Sequence, residues 1–73
     1  MGFGKVNLKL DALLAEKGMS VNKLNKLTDM QRSQIRRYRD NKMARFDADI
    51  LARLCTVFDC KIEDLLEFIP EEE

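Results

Sequence analysis

Six cations lie between Gln31 and Arg45 (Arg32, Arg36, Arg37, Arg39, Lys42 and Arg45) against one anion, Asp40, giving a local net charge of +5. Five of the six are arginine, whose planar fork suits bidentate contact with phosphate or with the O6/N7 edge of guanine. At about 100° per residue, a helix over Gln31 to Asp40 gathers Arg32, Ser33, Arg36, Arg37 and Asp40 into one arc and turns Ile35 and Tyr38 the other way. One side is built to pack and the other to meet something anionic. The whole chain carries 13 basic and 13 acidic residues, so the attraction is local rather than global. From Asp59 to the end there are seven acids and only Lys61, a net of −6, which makes the molecule dipolar.

The arginine face needs a partner helix to hold it. Ser20 suits the cap of a preceding helix, because its hydroxyl can accept a hydrogen bond from an orphan amide of the first turn. Val21, Leu24 and Leu27 follow at helical spacing. Thr28, Asp29 and Met30 break that period, so the stretch from Ser20 to Asp40 reads as two short helices joined by a tight turn. Asp29 stands where such a turn needs a positive φ, which aspartate tolerates at some cost. Asn41 plays the same part after the second helix.

The flanking elements read as helices too. The first is expected from Val6 or Asn7 to Lys17, with Val6, Leu10, Leu13 and Leu14 on one face, after a loose leader from Met1 to Lys5. Gly18 closes it in the left-handed conformation, and Met19 returns to the core. Lys42 to Phe46 should be a loop beside the arginine face, with Phe46 and Tyr38 turned inward. Asp47 caps a fourth helix that carries Ile50, Leu51, Leu54, Cys55 and Phe58 as a buried stripe. A last helix from about Ile62 to Phe68 offers Ile62, Leu65, Leu66 and Ile69 for packing, with Glu63 and Asp64 in the first turn where the helix dipole favours acids. Pro70 ends it, and Glu71 to Glu73 form an acidic tail. The expected fold class is all-α, in one domain spanning residues 1–73.

Seventy-three residues support a modest core but no deep pocket. No apolar run approaches the ~20 residues of a membrane span, and no signal peptide is visible, so a cytoplasmic protein is expected. The chain has no histidine. Cys55 and Cys60 match neither a redox pair nor a zinc half-site and read as free thiols packed as small hydrophobes. No nucleophile or acid/base constellation can be assembled, and no cofactor, metal or small-molecule ligand is implied.

Three segments, EKGMSVNKL, TDMQRSQIRRYRDNK and LARLCTVFDCKIEDLLEFIP, together resemble the Cro/phage-repressor type (XRE-like) helix-turn-helix domain over roughly Val6 to Pro70. The resemblance implies a lambda-repressor-like bundle of five helices, the third entering the DNA major groove. It places Arg32, Ser33 and Arg37 at base-reading positions. Gln31, as the recognition-helix cap, matches a backbone-contacting position, and Ser20, Lys42 and Arg45 match phosphate-contacting ones; Arg36, on the same arc, is taken with them. Asn25 stands where the family has a small alanine, Asp29 where it has the turn glycine, and Val21 where a glutamine often follows the helix-two cap.

Two functions follow from these residues. In the first, the chain is a sequence-specific regulator bound to double-stranded DNA as a weak homodimer, since one module this small makes few phosphate contacts. Phe68 and Ile69 would join the subunits against the repulsion of two net −6 segments. In the second, the scaffold is a protein-interaction module, antitoxin-like or regulator-binding, with the acidic C-terminal helix as its contact surface. Arg39 could serve either phosphate or an ion pair with an acid such as Asp11.

Overall fold

A computed structural model describes residues 2–71. In chain order it contains β1 (Lys5–Leu8), α1 (Leu10–Lys17), α2 (Val21–Thr28), α3 (Arg32–Arg39), α4 (Ala48–Phe58), α5 (Ile62–Leu65) and β2 (Leu66–Ile69). Five helices are present, and with them a small antiparallel sheet that corrects the all-α expectation. The strands pair in the register Lys5 with Ile69, Val6 with Phe68, Asn7 with Glu67 and Leu8 with Leu66. No helix among the described residues is long and apolar enough to cross a membrane.

The sheet arises where two periodicities compete. Val6 and Leu10 satisfy a helical spacing, but Val6 and Leu8 equally satisfy the alternation of a strand, and β-branched Val6 suits the pleat. The same ambiguity holds for Leu66 and Phe68. Pairing between these two distant segments settles both, so the first helix starts at Leu10 rather than Val6, and the last shrinks to one turn ending at Leu65. The Lys9 amide donates to the Leu65 carbonyl at 2.7 Å, which locks the strand-to-helix corners together. Val6, Ile62 and Ile69 are consequently exposed rather than packed.

The core is formed by Leu8, Leu10, Leu13, Leu14, Leu24, Met30, Ile35, Tyr38, Ile50, Leu54, Phe58 and Leu65, drawn from every element except β2, whose Leu66 packs against its edge. In α2 the buried row is Leu24 and Thr28, four residues apart; Leu27, at helical spacing from Leu24, is rotated to the rim and half exposed. Leu10, Leu13 and Leu14 in α1 and Ile50, Leu54 and Phe58 in α4 are buried as their spacing requires.

Helix ends are closed by the residues the sequence marks. Gly18 sits at φ 61°, and the Met19 amide bonds the Leu14 carbonyl at 2.9 Å. The Ser20 hydroxyl accepts from the Lys23 amide at 3.1 Å, and the Asp47 carboxylate accepts from the Asp49 amide at 2.8 Å. Asp29, Asn41 and Asp59 all adopt positive φ. For Asp29, at φ 61° and without Cβ relief, glycine should be the better residue. Asp29→Gly is expected to stabilise the fold by about 0.5 kcal/mol, read as a rise in Tm of a few degrees.

Candidate nucleic-acid interface

The joint between α2 and α3 is held by three polar side chains. Thr28, buried, donates its hydroxyl to the Leu24 carbonyl at 2.7 Å and accepts from the Met30 amide at 3.2 Å. Asn25 donates its amide to the Met30 carbonyl. Arg53, from α4, donates Nη1 to the Thr28 carbonyl at 2.8 Å while its Nε pairs with Asp49 at 3.0 Å. The Asn25 that departs from the family pattern is thus a brace of the turn, and the orphan carbonyl at the end of α2 is satisfied from α4.

That joint fixes how α3 is presented. Ile35 and Tyr38 are buried, whereas Gln31, Arg32, Ser33, Arg36 and Arg37 are exposed. Tyr38 places its ring 5.9 Å from Phe46 and accepts the Asp47 amide on its hydroxyl at 3.3 Å, which ties α3 to the start of α4. The far end of α3 is closed by the Lys42 amide on the Arg37 carbonyl at 2.9 Å, with Asn41 at φ 56°. Asn41 does more than turn the chain. Its side-chain amide accepts from the Leu8 N–H at 2.7 Å and donates to the Leu8 carbonyl at 3.1 Å, imitating a strand residue on the outer edge of β1. The sequence marks Asn41 for its φ but carries no local sign of this bond to a residue 33 positions away.

Because glycine accepts that φ equally well, Asn41→Gly isolates the amide. The expected loss is about 1–2 kcal/mol in unfolding free energy, because two partly buried backbone groups of Leu8 lose their partner. Chemical denaturation measures it, and a change within error would show that water replaces the amide at no cost.

The charges of the basic stretch divide into two sets. Arg39 does not reach Asp11; it forks onto its neighbour Asp40, Nε to Oδ1 at 2.9 Å and Nη2 to Oδ2 at 3.3 Å. The hydrogen bond from Arg39 holds the Asp40 carboxyl below the usual carboxylate range, and the same bond raises the Arg39 pKa. Asp40 is therefore neutralised locally across the pH range in which it is ionised. Arg32, Arg36, Arg37, Lys42 and Arg45 make no ion pair among the described residues. Arg32 is instead held by the neutral Asn22 of α2, Nη1 to Oδ1 at 3.2 Å.

A groove at the helix joint is lined by Asp29, Gln31, Ser33, Gln34, Arg37 and Met43. It brings together three of the residues selected from the sequence, Gln31, Ser33 and Arg37, and adds Gln34 and Met43, which sequence reasoning passed over. Ser20 lies on a different groove, with Asp11 and Arg39. Asn22 was also passed over, and an asparagine in the first turn of a helix gives no sign of what it faces. The two cysteines are free and half-buried; burial and the adjacent Cys55 push the Cys60 thiol up, so it stays protonated at neutral pH.

Comparison with solved structures shows the same fold in proteins of one kind. The crystal structure of the transcriptional regulator VanUg superposes with a TM-score of 0.74 at 22% identity, covering 97% of this chain and 93% of that one. A transcriptional regulator from Listeria innocua gives a TM-score of 0.65 at 21% identity, covering 92% of this chain and 65% of that one. No curated protein sequence matches the chain. Residues 9–71, the span from the end of β1 past β2, match the family described as the Cro/C1-type HTH DNA-binding domain. With its two helices braced at the joint and its arginine helix exposed, the chain belongs to the Cro/C1-type helix-turn-helix DNA-binding family.

Proposed function

We propose that the chain is a sequence-specific DNA-binding regulator that acts by binding rather than catalysis, in the cytoplasm, with α3 lying in the major groove. Arg32, Ser33 and Arg37 read base edges, while Ser20, Gln31, Arg36, Lys42 and Arg45 hold phosphates. The observation that carries this reading is the set of five cations on and beside α3 that no acid of the described residues neutralises. In a protein of zero net charge, cations left unpaired on one exposed helix face are available for an external polyanion. The Asn22 contact suits Arg32 for base reading, since a neutral partner orients the guanidinium without cancelling its charge.

The protein-interaction alternative draws on the acids, and these lie elsewhere. Asp59 and Asp64 line a groove with Glu16, Lys9 and Lys17, which shares no residue with the groove of Arg37.

The experiment is a salt series of binding to selected and to random duplexes. Lys42→Ala and Arg45→Ala should weaken both duplexes alike and each flatten the slope of log K against log salt by about one unit. Slopes equal to that of the unaltered protein would remove both residues from the phosphate set.

A further inference from the structure

Cys55 and Cys60 stand at a spacing that matches neither a redox pair nor a zinc half-site, yet the end of α4 folds so that the two meet. Asp59 turns into the left-handed region at φ 50°. The Cys60 amide then donates back to the Cys55 carbonyl at 3.0 Å, and the Asp59 amide donates to the Thr56 carbonyl at 3.3 Å. These two bonds make a Schellman closure, in which the residue just past the turn and the one five positions earlier come together across the helix end. Such a pair frequently makes a hydrophobic contact. Here both positions hold thiols, and they lie side by side. With the backbones bonded at 3.0 Å, standard bond lengths keep the two α-carbons within about 7 Å, the limit for bridging two cysteines at sulfur without moving the chain.

We propose that Cys55 and Cys60 form a dithiol site for a trivalent arsenical, which binds through both sulfurs at the C-terminal end of α4. The choice of ligand follows from what surrounds the pair. Among the described residues no histidine, carboxylate or further thiol joins them in a cluster able to hold a metal ion, so the four-ligand arrangement of structural zinc is not available. A centre satisfied by two sulfurs is required. Linear two-coordinate ions such as copper(I) hold their sulfurs on opposite sides, whereas pyramidal arsenic holds them side by side, as this turn does. The binding step needs no oxidant or reductant: each S–H condenses with one As–OH, an S–As bond replaces an As–O bond, the thiol proton leaves with the hydroxyl as water, and arsenic stays trivalent. A monosubstituted arsenical has two such hydroxyls, one for each thiol.

Both thiols are half-buried, so they pack against the core yet remain open to a ligand. Cys60 lines a groove with Ala12, Leu13 and Lys17 of α1 and Phe58 of α4, whose apolar atoms suit the organic substituent carried by the arsenic. This groove shares no residue with that of Arg37, and the inference does not rest on the DNA reading. Once one sulfur is bound, the second bond forms within the molecule, which raises the affinity about 10²–10⁴-fold over that of a single thiol.

Phenylarsine oxide, whose hydrate carries two hydroxyls, tests the site on the full chain kept reduced. One equivalent should consume both thiols, with mass spectrometry showing one phenylarsenic group in place of two thiol hydrogens. Cys55→Ser and Cys60→Ser should each weaken binding at least about a hundredfold. Two further readouts use the unaltered protein and so do not depend on either variant folding. Amide shifts on titration should centre on residues 55–60, and Tm should rise, because a turn that already pairs the sulfurs makes the folded chain the better ligand. Two arsenicals bound per chain, serine variants that bind as tightly as the unaltered protein, shifts centred elsewhere, or a lowered Tm would each overturn the proposal.

Discussion

Replacing Leu54 by alanine should lower the unfolding free energy by about 2–5 kcal/mol. Leu54 is fully buried on α4, in the cluster with Leu24, Ile35 and Phe58, so the lost methyl groups leave a cavity among side chains of several elements. The surroundings can collapse only partly, because α2, α3 and α4 are tied to one another at fixed points by Arg53 on the Thr28 carbonyl and by Tyr38 on the Asp47 amide. For a domain of this size the loss is comparable to the whole stability. Urea denaturation gives the value, with Leu27→Ala as a control: Leu27 is half exposed and should cost under about 1 kcal/mol. Equal losses at the two leucines would mean that burial does not set the stability of this bundle.

The second large effect should be on binding. Arg37 lies on the exposed arc of α3 with no ion-pair partner, on the groove that also holds Ser33 and Gln34. If its guanidinium reads a base edge, Arg37→Ala should cost about 1–3 kcal/mol on the preferred duplex and much less on random DNA. Its fold should be unchanged, since nothing among the described residues depends on that side chain. Fluorescence anisotropy on both duplexes at one salt concentration separates the cases. Equal losses on both would turn Arg37 into a phosphate contact.

Local chemistry carried much of this in the sequence. Caps and turns depend on one residue and its neighbours, so Ser20, Gly18, Asp29, Asn41 and Asp47 announced their own conformations, and the structure places each as its side chain requires. The two faces of α3 were legible for the same reason: a period of 3.6 over Arg32–Arg39 separates arginine from Ile35 and Tyr38 without reference to the rest of the chain.

Other features were decided only when distant segments met. KVNL and LEFI are each compatible with helix or strand, and pairing across some sixty residues selected strand for both, leaving Val6, Phe68 and Ile69 exposed. Arg39 had two acids within plausible reach, and the end of α3 gave it Asp40 rather than Asp11. The bonds of Asn22 to Arg32, Asn25 to Met30, Asn41 to Leu8 and Arg53 to Thr28 all depend on where a neighbouring element lies, and an amide or guanidinium shows in sequence its capacity to bond but not its partner. Sequence by itself determined α2, α3 and α4, the capping and turn residues and the arginine face, because these are short-range. Tertiary structure decided the ribbon, the brace of the helix joint and which cations stay unpaired, because those energies belong to contacts between segments far apart in the chain.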